Sequence, residues 1–238
     1  MPAFSADLHN HTPASADYRR PETMPRQIVE AALDAGLHVY GATDHFSCGL
    51  GRALIDAADA VAAETGRRLL VVSGAELRIT FRGDEAHITA LYPAERNEAL
   101  FQATLEILGI TSPIATHEDM PYFTWEHDPV DVCRIIEALG GVAMVAHADR
   151  AFGDYRLIDS PLFWRLAEEP TVSAIDFLDP AAHRDVVAGL RPSIIRCSDS
   201  HCCDDIGMRR SLVAMEELSF HSLKTALAAG TVVPEVLV

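Results

Sequence analysis

Short apolar runs alternate with longer amphipathic segments along the whole chain. The apolar runs have the length and composition of buried strands, and several amphipathic segments end at a glycine, as helices often do. The predicted strands are 3–8, 39–43, 69–73, 87–92, 142–146, 172–177 and 193–197. The predicted helices are 25–37, 52–65, 95–108, 130–139, 161–169 and 181–189, with a last helix that begins at Ser219 and ends at Gly230.

This alternation predicts an α/β fold with a parallel sheet. About seven strand–helix units are present, which is enough to close a barrel. The sequence contains no linker-like tract, internal repeat or low-complexity run, so we expect one domain over 1–238. Residues 110–127 interrupt the pattern with a polar and aromatic segment, which is either a lid over a substrate or a plain surface loop.

Composition narrows the function. The chain has 238 residues and a formal net charge of −16, which disfavours broad electrostatic binding to duplex nucleic acid. A small phosphorylated molecule, or the end of an oligonucleotide, remains compatible with that charge. No apolar run is long enough to span a membrane, and the N-terminus lacks the basic region of a signal peptide. Five cysteines without paired metal-ligand spacing favour a reducing cytoplasm.

The first predicted strand carries the most informative motif, Asp7-Leu-His9-Asn-His11. Side chains two positions apart on a strand share a face, so Asp7, His9 and His11 are expected to point into one site. A carboxylate near two imidazoles is a typical beginning of a metal site. A His-x-His pair alone is also common as a packed or surface pair, so further ligands must come from the rest of the chain.

Those further ligands stand mostly where later strands end. In a parallel barrel the carboxyl ends of the strands form one rim, where catalytic groups converge. The candidate set contains six imidazoles and three carboxylates: His9, His11, Asp17, His45, Glu76, His87, His147, Asp199 and His201. His87 is expected to open its strand, and Asp17 to lie on the first loop. Nine ligands suit two or three metals, with a carboxylate such as Glu76 as the bridge, and mixed N/O ligation suits Mn, Zn or Fe.

The other polar residues near this set have supporting or uncertain roles. Asp7 is predicted to hold a ligating imidazole, and Asp44 to hold either an imidazole or a neighbouring loop. The remaining histidines lack the strand-end placement: His38, His183 and His221 are interpreted as structural, and His117 and His127 as weak site candidates.

Arginines follow several of the candidate ligands, and a guanidinium is suited to bidentate contact with phosphate. Arg19, Arg150 and Arg209 are the first choices for substrate binding. Three others stand in comparable places: Arg20, Arg78 and Arg210. For any one of them, a solvated surface role is the simpler interpretation.

The ordered series His-x-His, Thr-Asp-His, Glu, His, Ala-His and Asp-x-His resembles the PHP (polymerase and histidinol phosphatase) superfamily from Asp7 to Arg210. The resemblance implies a distorted seven-stranded (β/α) barrel, similar to a TIM barrel, with a trinuclear metal centre and phosphoesterase activity. Asp17 stands where some members carry histidine. The stretch 198–210 looks most like PHP domains joined to TrlF-type ATPases. The chain has no Walker motif, so an ATP-dependent function is not expected without a partner.

The resemblance also implies how the ligands are shared. One metal would be held by His9, His11, Glu76 and Asp199, a second by Asp17, His45 and His201, and a third by Glu76, His87 and His147. All of these except His87 are taken as catalytic. The resulting hypothesis is hydrolysis of a phosphate ester by a metal-bound hydroxide. The alternatives are a nuclease acting on oligonucleotide ends, a histidinol-phosphate-type phosphatase, and a non-catalytic domain stabilised by metal.

Overall fold

The computed structural model describes residues 1–110 and 124–235. The strands are β1 (Ala3–Asn10), β2 (Val39–Ala42), β3 (Leu70–Phe81), β4 (Asp84–Tyr92), β5 (Trp125–Glu126), β6 (Val142–Val145), β7 (Val172–Asp176), β8 (Ser193–Ile195), β9 (Arg210–Ala214) and β10 (Val232–Glu235). The helices are α1 (Pro25–Asp34), α2 (Gly51–Thr65), α3 (Asn97–Ile107), α4 (Pro129–Ala138), α5 (Pro161–Glu168), α6 (Arg184–Val187) and α7 (Phe220–Ala229).

The strands form one sheet that curls into a nearly closed barrel. Their order is β10-β9-β1-β2-β3-β4-β6-β7-β8, and the short β5 pairs with β3 outside this path. The two ends of the sheet meet, since the guanidinium of Arg196 after β8 donates to the carbonyl of Glu235 in β10, at 3.0 Å. The predicted α/β fold, a distorted TIM-like barrel, is confirmed.

The prediction of an all-parallel sheet is wrong. Strand β4 pairs antiparallel with both β3 and β6, and β9 pairs antiparallel with β1 and β10. Strand β3 runs eight residues past the predicted end at 73, because Ala75, Leu77 and Ile79 alternate with polar residues and are buried. The turn at Arg82 and Gly83, both with positive φ (54° and 92°), then reverses the chain into β4.

Other boundaries differ less. Strands β9 and β10 lie in a region with no predicted strand, and the predicted helix 181–189 contains the shorter α6. Most of the segment 110–127, including His117, lies outside the described residues; within its described part, Trp125 and Glu126 form β5.

The interior of the barrel has an apolar end and a polar end. Leu8, Val72 and Met144 fill the apolar end together with Leu223 and Leu227 of α7. Helices α1 to α5 cover the outer face of the sheet and bury separate apolar clusters. Because α7 packs against the apolar end, the polar interior residues collect at the opposite end.

Candidate metal centre

The nine predicted ligands meet at the polar end of the barrel, where seven of them line a cavity of about 320 Å³ and His9 and His11 belong to the same cluster. They form three overlapping groups in which the ligand atoms all lie within 4.8 Å of one another. The groups are His9, His11, Glu76 and Asp199; His11, Asp17, His45 and His201; and Glu76, His87 and His147. These are the three sets of ligands that the sequence resemblance implies, except that His11 also lies in the group of Asp17, His45 and His201.

Glu76 lies at the centre of the cluster, and its two oxygens face different groups. It stands in the middle of β3 rather than at a strand end, on the same side as Val72 inside the barrel. Its Oε2 lies 3.2 or 3.3 Å from one nitrogen each of His9, His11 and His45. Its Oε1 lies 2.6 Å from His87 Nδ1 and 3.1 Å from His147 Nε2. Such a carboxylate is placed to bridge two metals.

His87 also differs from its predicted position, because it lies within β4 rather than opening it. The antiparallel register pairs it with Arg78 and pairs Glu76 with Thr89, so Glu76 and His87 share the inner face of the hairpin. The other nitrogen of His87, Nε2, lies 2.9 Å from Glu85 Oε1. A carboxylate in that position fixes the ring and its tautomer.

Asp199 is held beside β1 by backbone hydrogen bonds. Its N–H donates to the carbonyl of His9 at 2.9 Å, and the N–H of His11 donates to the carbonyl of Ser200 at 2.8 Å. Its Oδ1 then lies 3.0 Å from His11 Nε2 and 3.4 Å from His9 Nε2. Both Asp199 (φ 51°) and His147 (φ 28°) have positive φ, a strained backbone that concentrates at functional sites.

The outer group, formed by His11, Asp17, His45 and His201, contains Asp17, the most exposed of the predicted ligands. Its Oδ2 lies 3.1 Å from His201 Nε2 and 3.4 Å from His45 Nε2. The Asp17 side chain is 34% exposed and that of His201 is 22%, whereas Glu76 and His11 are at most 1% exposed. The cluster is therefore open to solvent at this group.

The carboxylates and His147 have the protonation states that metal binding needs, whereas the buried carboxylates around His9, His11 and His87 raise the pKa of these three imidazoles, so that a bound cation would have to displace their protons. Burial opposes ionisation of Glu76 and Asp199, but the surrounding imidazoles lower the pKa of both carboxyl groups well below their usual values. Burial lowers the pKa of His147 to about 4, so its imidazole is neutral at physiological pH. Ionised carboxylates and neutral imidazoles are the forms that bind metal.

The residues present fit a group of divalent cations. His9 Nε2 and His45 Nδ1 are buried, and neither has a hydrogen-bond partner among the described residues. Their contacts with Glu76, at 3.3 and 3.2 Å, match the edge of about 3.3 Å expected for a tetrahedron with bonds of about 2.0–2.1 Å. Buried nitrogens at this spacing from a carboxylate are what a shared cation would satisfy.

Asp44 holds the loop that follows β1. It accepts hydrogen bonds from the N–H and hydroxyl of Thr12, both at 2.7 Å, and from the hydroxyl of Ser15 at 2.8 Å. The same hydroxyl lies 2.9 Å from His11 Nδ1, which leaves Nε2 of that ring to face the cluster. The loop-holding role, one of two predicted for Asp44, is confirmed.

The predicted contact between Asp7 and a ligating imidazole is wrong. The pairing of β1 with β2 shifts between Asp7 and Asn10, and an irregularity of this kind can turn neighbouring side chains to opposite faces. Asp7 instead accepts the N–H groups of Ser198 and Gly207, both at 3.0 Å. Burial raises the pKa of Asp7 to about 6. Its role is to hold the loop that carries Asp199.

Two supporting carboxylates were not predicted from the sequence. Asp176, at the end of β7, accepts the N–H groups of Cys197 (2.9 Å) and His147 (3.1 Å), and burial raises its pKa to about 7. The signal in the sequence that could have identified Asp176 is that it is the one acidic residue of a mostly apolar predicted strand, 172–177. Glu85 precedes His87 by two residues and so shares its strand face, which is a signal as clear as the one used for Asp7.

The arginines separate by location. Arg150 contacts Asp199 Oδ2 and lines the cavity, and Arg78 lines it as well. Arg19, at 59% side-chain exposure, pairs with Asp205, and Arg20 pairs with Asp204. The described contacts of the other two lie elsewhere: Arg209 N–H donates to Ser198 Oγ, and the Arg210 guanidinium contacts Glu235 and the carbonyl of Ala35. Of the three first choices from the sequence, Arg150 is therefore the one that lies beside the cluster.

The histidines outside the candidate set are not among the described residues that line the cavity. His38 Nδ1 accepts the N–H of Ser5 at 3.2 Å, a structural contact with β1. His183 lies 3.8 Å from Asp149, and His221 lines a separate surface cavity beside α7. His127 stacks on Trp125, with ring centroids 4.5 Å apart.

Comparison with known proteins places the fold. No family model and no curated protein sequence matches the chain. Among solved structures it is similar to a two-domain protein from Bacteroides vulgatus containing a predicted PHP-like metal-dependent phosphoesterase (18% identity, TM-score 0.63) and to a lesion-specific endonuclease from Pyrococcus furiosus (14%, 0.64). Each alignment covers 98% of this chain but only 65% and 58% of those proteins, respectively.

A third similar structure is an amidohydrolase from Chromobacterium violaceum (19% identity, TM-score 0.57), with coverage of 96% of this chain and 97% of that protein. At these identities the likenesses establish the fold, which is the one found in PHP-like metal-dependent phosphoesterases. Within the described residues, no helix is both long and apolar enough to cross a membrane.

Proposed function

We propose that the protein is a metal-dependent hydrolase of phosphate esters, with two or three divalent transition metals (Mn, Zn or Fe) at the candidate metal centre. The observation that carries the proposal is the placement of Glu76, whose two oxygens face imidazoles of different groups. A carboxylate shared in this way serves a centre of several metals better than a single structural ion. The fold shared with metal-dependent phosphoesterases supports the same conclusion.

The three groups of ligand atoms define which residues would hold each cation. The deepest cation would lie between His9, His11, Glu76 and Asp199, and the outer one between His11, Asp17, His45 and His201. The third would lie between Glu76, His87 and His147. When bound, such cations polarise a phosphoryl group and lower the pKa of a coordinated water.

The chain's own residues bind and orient the ester. Arg150 and Arg78 line the cavity and can donate N–H groups to phosphate oxygens. Arg150 already contacts Asp199 Oδ2, so its guanidinium lies directly beside the cluster. The apolar end of the barrel is packed and excludes water. Substrate and water therefore enter at the opposite end, where Asp17 and His201 are partly exposed.

A small phosphomonoester is the substrate that the cavity favours. The cavity volume of about 320 Å³ is near the lower limit for small-molecule sites. In addition, the chain's net charge of −16 repels a long polyanion. A phosphodiester or an oligonucleotide end is the second candidate, because one structure of the same fold is an endonuclease. For that substrate, Arg78 and Arg150 supply the local positive charge.

The first experiment compares hydrolysis of para-nitrophenyl phosphate with that of bis-para-nitrophenyl phosphate. Metal-stripped protein is assayed before and after restoration with Mn²⁺, and bound metal is counted. We expect two to three ions per chain and turnover only after restoration. Preference for the monoester directs the search to small metabolites, including histidinol phosphate, whereas preference for the diester favours oligonucleotide ends. Metal binding that raises the melting temperature without turnover of either ester would favour the non-catalytic alternative.

The cellular setting and the domain organisation are also proposals. Cys48, Cys133, Cys197, Cys202 and Cys203 are all free thiols, and three of them are buried. Free thiols are typical of a reducing compartment, so we infer that the protein works in the cytoplasm. We also propose that 1–238 acts as a single domain, since the described strands join one sheet.

A further inference from the structure

An exposed phenyl ring stands at the mouth of the cavity. Phe152 is 41% exposed, and it is the one apolar side chain among the described residues that line the cavity. Every other lining residue is charged or an imidazole, so a ring in this position is not there to complete an apolar core. Aromatic side chains commonly line small-molecule sites, and this one lies beside the predicted metal ligands.

The ring is held in a fixed place relative to the ligands. It stacks on His87 with centroids 5.3 Å apart and planes inclined by 26°, and it meets His147 edge-on at 5.6 Å. The edges of both imidazoles face Glu76. Phe152 therefore covers the outer side of the group formed by Glu76, His87 and His147.

The backbone around the ring is anchored to β4. Phe152 and Tyr155 exchange two backbone hydrogen bonds of 2.8 and 3.1 Å, with Gly153 at positive φ between them. The Tyr155 hydroxyl donates to the carbonyl of Glu85 at 2.8 Å and accepts its N–H at 3.1 Å. The turn that carries Phe152 is thus tied to the strand that carries His87, so the exposed ring is positioned in advance.

The cavity therefore offers a phosphate site and an aromatic surface side by side. Arg150 stands two residues before Phe152 and lines the same cavity, and Arg78 lines it too. A phosphate between the arginines and the cluster would place its ester group against the exposed part of the Phe152 ring. A planar aromatic group gains from stacking there, while a sugar or alkyl group gains much less.

We propose that Phe152 is a specificity-determining residue that selects phosphate esters carrying a planar aromatic group, such as a nucleoside or an aryl alcohol. This inference rests on the proposed phosphoesterase function and adds its substrate class. One face of Phe152 packs on His87, and the exposed remainder of the ring stacks on the aromatic group of the ester. Phe152 itself takes no part in bond breaking.

Two matched pairs of substrates test the proposal on the full-length, Mn²⁺-loaded protein. Adenosine 5′-monophosphate is compared with ribose 5-phosphate, which lacks only the base, and benzyl phosphate with cyclohexylmethyl phosphate, which lacks only planarity. In Phe152→Leu, kcat/KM for the aromatic member should fall about tenfold, within the range for loss of one stacked base. Its partner should change less than twofold, and Phe152→Tyr should restore the preference.

Trp164→Leu is the matched control, because Trp164 is a 46% exposed aromatic residue on α5 that is not among the described residues lining the cavity. This variant should change neither pair. A selective loss in either pair supports the inference and identifies the kind of aromatic group. Equal losses for both members would show that Phe152 only supports His87, and no loss in either pair would show that it meets no substrate. Both results overturn the inference.

Failure of the proposed function gives a different result. If the wild-type protein hydrolyses none of the four monoesters, the inference is judged by calorimetric binding to the Mn²⁺-loaded protein. The proposed function itself fails only if neither para-nitrophenyl ester is hydrolysed either. Adenosine 5′-monophosphate should then bind about tenfold more tightly than ribose 5-phosphate, and Phe152→Leu should abolish the difference. Equal binding of the two esters by the wild-type protein would overturn the inference.

Discussion

The two sides of the candidate metal centre are built in different ways. On one side, Glu76 and His87 project from adjacent strands whose pairing is continuous from Ser73 opposite Tyr92 to Phe81 opposite Asp84. On the other side, Asp17 and His201 stand on loops and are partly exposed. A paired strand positions its side chains by register alone, whereas a loop needs further contacts to hold them.

Those further contacts come from buried carboxylates that bind backbone N–H groups. Asp44 holds the loop after β1, and Asp7 and Asp176 hold the segment that leads to Asp199. Each is at most 2% exposed and is not among the described residues that line the cavity, so the loop side depends on acids outside the cavity. The hairpin side has one comparable acid, Glu85 on His87. We therefore expect that substituting a supporting acid weakens metal binding more on the loop side than on the hairpin side.

The largest effect is expected from Glu76→Gln, because it removes the one charge that faces both sides. An amide of the same size is a poor bridge between cations, and the loss of several kcal/mol of charge stabilisation corresponds to about 10³-fold in kcat/KM. Elemental analysis should show fewer bound metal ions per chain. Glu98→Gln, an exposed change on α3, is the control and should change neither quantity. A Glu76→Gln protein with full metal content and activity within tenfold of wild type would refute the bridging role.

His9→Ala and Asp199→Ala should each lose at least about 10²-fold in rate, because each removes a ligand from the deepest group. Circular dichroism should show that both variants remain folded, since the apolar end of the barrel is unchanged. Activity within twofold of the wild-type value would remove the residue concerned from the site.

A smaller pair of effects compares the two kinds of support directly. Asp44→Asn should weaken metal binding about 10- to 100-fold, because the amide cannot accept all three hydrogen bonds that hold Thr12 and Ser15. Glu85→Gln should cost less than about tenfold, since the hairpin register still places His87. Competition with a metal-sensitive dye measures both affinities. The comparison is wrong if Glu85→Gln is the more damaging change.

The most local effect is expected from Asp17→Asn. It removes charge only from the most exposed group, so one ion should be lost while the others are retained. Titration of the wild-type protein with a chelator should likewise release one ion before the rest, and Asp17→Asn should lack that first step. Simultaneous release of all ions in the wild-type protein would show that the groups are not independent.

The identity of the ligands was easier to predict from the sequence than their geometry. His9, His45, His147 and Asp199 stand at or after the ends of parallel strands, where the alternation of elements places them. Glu76 was expected just after a strand predicted over 69–73, and His87 was expected to open the next predicted strand, 87–92. The alternation of Ala75, Leu77 and Ile79, together with the turn at Arg82 and Gly83, was the missed signal of a hairpin.

Side-chain direction was predictable only where the strand is regular. Period-two alternation gave Asp7 and His9 a common face, and the register shift between Asp7 and Asn10 breaks that relation. The regular alternation of Glu85 and His87 on β4 does hold, and it places the two in contact. A register irregularity arises from the way a strand meets its neighbours, so a single strand's sequence does not reveal it.

His147 and Asp199 have positive φ angles that reduce thermal stability, but both side chains belong to the candidate metal centre. A side chain with a Cβ in this conformation costs about 1–3 kcal/mol, and glycine would relieve most of it. Selection of a random library for heat resistance alone would therefore enrich glycine at 147 and 199. The survivors would be robust barrels without a complete set of ligands, so any directed evolution of this protein must select for turnover at every round.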